Sequence, residues 1–567
     1  MKVVLVNRVI VACVLQYACV VAAETDDVTR GVVLEPKQGL PSTQALEPRF
    51  QQSEDKPFFE LPSLDQSLIK TPAASWRIQI TSVKFHGNTV FSDDQLSAEI
   101  ATYLNRSIGS DELQSLRHQL TLYYVQRGYI NSGVIIPDQQ IIDGELELKV
   151  IEGRLDRTEI KGSDRLKTSY VEKRIGKEQT PLNVNVLQRQ LQLLQSQPAI
   201  ERVQAELVPG HRLGTSVLNL NIEEEQAFFA NVHINNHRSP STGEVRGSVE
   251  LGSYNVTGNA DSAVFEYGIT EGLNDLSLAY SLPVLANDTS VSLYYDRSDS
   301  VIVEAPYDNL DIESESTLFR IGVNYPFPKS VRQKRSIEFM LDRNHTETFL
   351  LNEPYSFSLG AENGETKVSA ARIAINWLDR DIDQVRALYF RMSSGLDIFG
   401  STTHRDQPDS RFFSVLGQAQ WVKKVFVGET IFRGDFQFSN DALLPSERFS
   451  LGGANTVRGY RENQLVRDNG WLVSLEYRMP IDYFSHNYNQ TMKAAVFVDH
   501  GKAWNEDSDG SEPNSISSVG FGLRWNAAKN KAAGNLYWGH ALRNVDKGSD
   551  DALQDSGIHF NLSLMLK

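Results

Sequence analysis

From about residue 228 to its end, a span of 340 positions, the chain alternates residue by residue and carries no helical period. Phe319, Ile321, Val323 and Tyr325 face one way; Arg320, Gly322 and Asn324 face the other. Phe432, Phe436 and Phe438 oppose Arg433, Asp435, Gln437 and Ser439. Trp471, Val473, Leu475, Tyr477 and Met479 oppose Ser474, Glu476 and Arg478. Val519, Phe521, Leu523 and Trp525 oppose Gly520, Gly522, Arg524 and Asn526, and Phe560, Leu562, Leu564 and Leu566 oppose Asn561 and Ser563. A soluble sandwich also alternates, but it hides its apolar face inside. Here the polar face holds charged and small residues, as a watery lumen requires, and aromatics recur near strand ends, as an interfacial girdle requires. The pattern predicts a transmembrane antiparallel β-barrel over 228–567. Short turns such as Leu282-Pro283-Val284 alternate with long polar loops such as Ser298 to Thr317.

The N-terminus reads as a secretory signal over 1–23. Lys2 and Arg8 supply charge, Val9 to Val21 is almost wholly apolar, and Val21-Ala22-Ala23 offers small residues for cleavage before Glu24. The apolar run is shorter than the roughly 20 residues of a spanning helix, and no later run reaches that length, so a helical membrane protein is excluded. Both cysteines, Cys13 and Cys19, fall in the signal, so the exported chain has no disulfides and no thiol chemistry. Residues 24–75 hold Pro36, Pro41, Pro48, Pro57, Pro62 and Pro72 and read as a leader or linker.

Between linker and barrel, one order of elements occurs twice. In 76–153, Ile78 to Phe85 reads as a strand and Leu96 to Leu104 as a helix. A second helix, Asp111 to Arg127, carries Leu113, Leu116, Leu120 and Tyr124 at helical spacing. Val134-Ile135-Ile136 and Leu146 to Val150 are strands. In 154–227 the same β-α-α-β-β order returns: Arg157 to Ile160, Ser169 to Arg174, Asn183 to Ser196, Val203 to Leu207 and Val217 to Ile222.

Charge and motifs remove whole function classes. Lys+Arg number 56 against Asp+Glu 72, a net charge of −16, which argues against nucleic acid as a partner. There is no phosphate loop, no H-E-x-x-H and no G-x-S-x-G elbow. The 11 histidines are scattered, and His86, His118 and His211 have no spaced partner. No enzyme, metal site or cofactor is expected.

Two short motifs remain. Val457-Arg458-Gly459-Tyr460 sits in a Gly-rich loop, and Phe497-x-Asp499-x-Gly501 lies in a strand-like run. Alternation puts Phe497, Asp499 and Gly501 on one face and Val496 and Val498 on the other. Together they resemble the outer-membrane transporters that move or insert proteins. The tandem units resemble polypeptide-transport-associated (POTRA) domains. With Gly128-Tyr129 after the long helix and Val150-Ile151-Glu152-Gly153 closing the first unit, the chain resembles the two-partner secretion transporters (TpsB, haemolysin activator/secretion type).

The resemblance implies a barrel of about sixteen strands, in the bacterial outer membrane, with POTRA domains in the periplasm. It implies a dedicated exoprotein, adhesin- or haemolysin-like, bound unfolded by the POTRA domains and passed outward without nucleotide hydrolysis. It also implies outer-membrane lipid around the barrel and the barrel-assembly machinery for its insertion. The Arg of the V-R-G-Y tip meets the Asp of the F-x-D-x-G strand in this family, so Arg458 is expected on Asp499. Gly459 would let the loop turn tightly, and Gly501 would leave it space beside the strand. The alternatives are a barrel-assembly insertase of the same superfamily, which usually has more POTRA units, and a passive porin, which the two N-terminal modules count against. Two features depart from the family: Gly31, Pro36, Gly39, Pro41 and Pro48 break up the place of its common plug helix, and the chain ends Leu566-Lys567 without a terminal aromatic.

Overall fold

The structure, a computed structural model, describes residues 76–176, 181–327, 330, 332–481, 491–506, 514–527, 531–545 and 552–566. The segments read as signal and leader, including the place of a plug helix, lie outside the described residues. The chain divides into two compact units, one within Glu54–Glu225 and one that includes Gln226–Lys567.

In the first unit, strand β1 (Arg77–Ile80) is followed by β2 (Ser82–His86), helix α1 (Asp93–Glu99) and β3 (Arg106–Gly109). Helix α2 (Ser110–Gln126), β4 (Gly133–Ile135) and β5 (Glu145–Ile151) complete the module. Ser92 caps α1 by a reciprocal box with Gln95, a device typically worth about 1 kcal/mol. Leu113, Leu116, Leu120 and Tyr124 of α2 lie on one buried face, against Leu146 and Leu148 of a β2-β5-β4 sheet. Two sequence readings change. Ile78 to Phe85 is not one strand: it breaks at Thr81, so that β1 pairs with β3 and β2 runs parallel to β5. The helix read over Leu96 to Leu104 ends at Glu99, and a single turn of 3₁₀ helix follows, Ala101–Tyr103. The backbone then turns through Asn105 at φ 59° to begin β3. The apolar spacing is the same in both cases; pairing partners decide where the elements stop.

The second module repeats the plan with β6 (Arg154–Lys161), α3 (Thr168–Ile175), α4 (Val184–Gln195), β7 (Ile200–Pro209) and β8 (Thr215–Glu224). Its sheet order, β6-β8-β7 with β6 parallel to β8, matches β2-β5-β4. Leu187, Leu191 and Leu194 of α4 are buried, and Asn183 caps that helix by accepting from the N–H groups of Asn185 and Val186.

The barrel runs β9 (Phe228–Asn235), β10 (Arg246–Ser253), β11 (Ser262–Ile269), β12 (Leu273–Pro283), β13 (Ser290–Val301), β14 (Ile312–Pro326) and β15 (Gln333–Leu350). A two-residue β16 (Glu353–Pro354) is added to β15 before β17 (Glu365–Arg380). Then come β18 (Gln384–Leu396), β19 (Phe413–Val425) and β20 (Gly428–Ser439). A long loop carries the small hairpin β21 (Phe449–Leu451) and β22 (Leu465–Arg467). The wall resumes with β23 (Asn469–Pro480), β24 (Thr491–Trp504), β25 (Ser515–Ala527), β26 (Ala532–Ala541) and β27 (Ile558–Met565). Leaving out β16 and the hairpin, 16 antiparallel strands close when β27 pairs with β9, from Asn561↔Asn235 to Met565↔Asn231. Closure removes the free edges that an open sheet would offer.

Outward faces are apolar and exposed, as at Phe319, Ile321, Val323 and Tyr325. Inward faces carry buried charge, including Asp342, Arg372, Arg433, Asp435, Glu476 and Asp499. The polar stretch Ser298 to Thr317 is only partly a loop. Its two ends extend β13 and β14 in register, from Ser298↔Ser316 to Val301↔Glu313. Strands β14, β15 and β17 run 15, 18 and 16 residues, well past the roughly 9–11 needed to cross. Beyond the hydrocarbon both faces of a strand can be polar, so apolar alternation fades while the backbone ladder continues.

Candidate functional site

The loop between β20 and β23 folds back inside the barrel, where it meets inward-facing side chains of the wall. At its base, Asp468 accepts from the N–H groups of Leu443 and Glu506, at 3.0 and 3.1 Å. The loop brings its own apolar side: Phe449, Leu451, Val457, Tyr460 and Leu465 are buried with Leu472, Ala503 and Ile516 of the wall. This burial brings the tip, Val457 to Tyr460, against β24.

Arg458 is buried at that tip. Its Nε and Nη2 donate to the two oxygens of Asp499 at 2.8 and 2.9 Å, and its backbone N–H donates to the same carboxylate at 3.1 Å. Nη1 donates to Glu476 of β23, and Nη2 reaches Ser474 Oγ at 3.3 Å. Asp499 also accepts from Ser474 Oγ at 2.7 Å. The guanidinium lies over the Phe497 ring, 3.6 Å from its centroid, and 4.9 Å from that of Tyr537. A two-pronged charged bond with an aromatic face beneath it is a geometry that suits arginine and not lysine.

The neighbours of Arg458 each have a local reason for their type. Gly459 adopts φ 88°, and a Cβ there would lie 2.7 Å from the Gly539 carbonyl oxygen. Its N–H donates to His559 Nε2 at 3.0 Å. The Tyr460 hydroxyl lies 2.8 Å from the Ser517 carbonyl oxygen and accepts from the N–H of Arg543 at 3.2 Å. Gly501 makes room for the loop: a Cβ there would meet Leu451 at 2.9 Å. Phe497 is 6% exposed and Asp499 0%, against 58% for Val496 and 45% for Val498.

All six residues singled out from the motifs are therefore at one place. Several others at that place carried no motif. Glu476 and Ser474 could be read only as part of the polar face of β23. Glu476 is held in turn by Arg478 Nε at 2.5 Å and by the Tyr537 hydroxyl at 2.8 Å. Arg461, three residues past Arg458, pairs with Asp555 at 2.6 Å and Glu304 at 2.7 Å, tying the loop to two others. Among the described residues, His345, Glu347 and Glu365 lie close enough together to hold a metal, but the Lys367 ammonium, 2.5 Å from Glu365, already places a cation there.

Comparison with known proteins agrees with this architecture. The haemolysin secretion/activation family ShlB/FhaC/HecB matches residues 214–525, and the ShlB-type POTRA domain matches residues 78–153. The outer membrane transporter CdiB of Dickeya dadantii is 24% identical over 471 residues, covering 79% of this chain and 80% of that protein. The hemolysin transporter protein ShlB of Serratia marcescens is 24% identical over 492 residues, covering 81% of each. The solved structure of CdiB from Escherichia coli superposes with a TM-score of 0.66 at 22% identity, covering 90% of this chain and 94% of that one. The relatives are outer-membrane transporters, and the chain is an outer-membrane β-barrel with an N-terminal periplasmic POTRA domain. It belongs to the haemolysin secretion/activation family, the two-partner secretion transporters.

Proposed function

We propose that this protein exports one dedicated large exoprotein, adhesin- or haemolysin-like, through its barrel as an unfolded chain. The first POTRA domain and the second β-α-α-β-β module, read as another POTRA domain, hold the client in the periplasm. Strands β2 and β4 end one sheet, and β6 and β7 end the other. Such edges can take up an extended segment through backbone hydrogen bonds, a mode that asks little of the client's sequence. No nucleotide and no catalytic step are involved; folding of the client outside biases movement outward. The relatives named as haemolysin transporters support a cytolysin-like client.

In this reading Arg458, Gly459, Tyr460, Phe497, Asp499 and Gly501 form a lock that holds the loop in the lumen at rest. The observation that carries it is the Arg458 guanidinium, buried and shared between carboxylates on two wall strands. The desolvation cost of such a cluster largely offsets its attraction, so its effect is to specify a position more than to add stability. A loop held in this way can be displaced without unzipping the wall.

Deleting residues 76–227 tests the division of labour. The barrel should still insert in the outer membrane while secretion of the exoprotein is lost. Full secretion by the truncated protein in cells would refute the client-binding role of the modules.

A further inference from the structure

The loop touches the wall at a second, separate charge cluster. Glu447, in the 3₁₀ turn Pro445–Glu447, faces Arg372 of β17 two-pronged, with Nη2 and Nη1 at 2.7 and 3.0 Å. Arg372 Nε donates to Asp342 of β15 at 2.6 Å, and its Nη1 to Ser393 Oγ of β18 at 2.8 Å. Asp342 also accepts a two-pronged bond from Arg320 of β14, at 2.6 and 2.8 Å. Arg372 and Asp342 are buried, and so is the Glu447 side chain. The Glu447 carbonyl oxygen accepts from Gln437 Nε2 of β20 at 2.9 Å, which fixes the turn from its other side.

From the wall order, β17 and β24 are five strand steps apart. At roughly 4.8 Å per step the two contacts stand about 24 Å apart along the wall. Glu447 and Arg458 are 11 residues apart in the chain, a length that can reach roughly 36 Å.

We propose that the loop is braced at two independent points, and that Glu447 and Arg372 are the positioning residues of the second. This deepens the reading of the loop as a movable element. Arg458 seats the tip on β23 and β24, with Arg461 beside it on two other loops; Glu447 seats the ascending limb on Arg372 of β17. Charge explains why the second brace is specific. Arg320, Asp342, Arg372 and Glu447 sum to zero only when the loop is docked. With Glu447 gone those three wall groups keep one net positive charge, beside Glu338 of β15 and Arg391, whose buried Nε has no hydrogen-bond partner. The undocked wall thus draws the Glu447 carboxylate back. Release of the tip alone leaves the loop tethered across the lumen, and clearing the lumen needs both braces to open.

The test is hydrogen exchange on the purified full-length protein in detergent, resolved by peptide, comparing 443–451 with 454–462. Glu447→Gln should speed exchange in 443–451 on the order of tenfold and leave 454–462 within about twofold. Arg458→Ala should do the reverse, and the double variant should speed both. Arg372→Met, on the wall side, should reproduce the Glu447→Gln pattern. Large openings in planar bilayers should be common only in the double variant. The exchange readout does not depend on any client, so it stands whether or not secretion works as proposed. The proposal is overturned if Glu447→Gln leaves 443–451 protected. It is also overturned if either single variant loosens both segments together, or if exchange rises along the barrel strands as well.

Discussion

Replacing Arg458 by Ala removes a side chain that binds two strands of the wall. It deletes two side-chain hydrogen bonds to Asp499, one to Glu476, one to Ser474 and the face contact with Phe497. Breaking a buried ion pair by removing one partner costs roughly 3–5 kcal/mol. The structure argues for the lower end. Asp499 keeps the Ser474 hydroxyl, and Glu476 keeps Arg478 and Tyr537. About 3 kcal/mol shifts an equilibrium on the order of a hundredfold. The closed wall has no edge to unravel, so that shift should fall on the loop tip, which leaves its seat while the limb stays on Arg372 and the barrel stays assembled. The expected result is a heat-modifiable, membrane-inserted barrel with strongly reduced secretion and altered conductance. Asp499→Ala should be milder, because Arg458 retains Glu476; combining it with Glu476→Gln should restore the full defect. Arg458→Ala with Asp499→Ala should be no worse than Arg458→Ala alone, as for residues that act through one contact. Normal secretion by Arg458→Ala, or losses that simply add, would refute the reasoning.

Gly459→Ala puts a Cβ against the Gly539 carbonyl oxygen at a φ of 88°; the strain, roughly 1–3 kcal/mol, should lift the tip and raise conductance more weakly than Arg458→Ala, and an unchanged conductance would count against the close approach. Glu462 accepts from the N–H of Ala454 at 2.7 Å, and burial, which outweighs that bond and the nearby Arg238, pushes its carboxyl up to about 7. A carboxyl with a raised folded-state value favours the docked loop below its unfolded value of roughly 4.3 and loses that contribution as pH rises through 7. Exchange at 454–462 should therefore quicken, beyond the intrinsic effect of pH, between about pH 4.5 and 7, and Glu462→Gln should abolish the extra acceleration.

The alternation on β14, β20, β23, β24 and β25 made the barrel legible, because a wall between lipid and water forces period two on every strand it contains. The tandem α+β modules were legible for a similar reason: Leu113, Leu116, Leu120 and Tyr124 mark one buried helix face, and Leu187, Leu191 and Leu194 another. The contact of Arg458 with Asp499 came from the resemblance of two motifs, not from spacing. Where polarity stopped varying across a strand, as at the outer ends of β13 and β14, the signal vanished and strand was read as loop. Thr81 was missed too, since both of the strands it separates share one apolar rhythm and differ only in partner.

By itself, then, the sequence determined which face of each strand meets lipid and which meets the lumen, since solvent on each side selects residue type position by position. Only the tertiary structure decided which lumen charges meet which loop charges. Glu476 is one of several acidic residues on inward faces, and nothing local distinguishes it. Glu447 and Arg372 lie 75 residues apart on elements whose approach depends on wall curvature and on the path of the loop. Pairings of that kind follow from closing the barrel and folding the loop back into it, and no local pattern of residues encodes either.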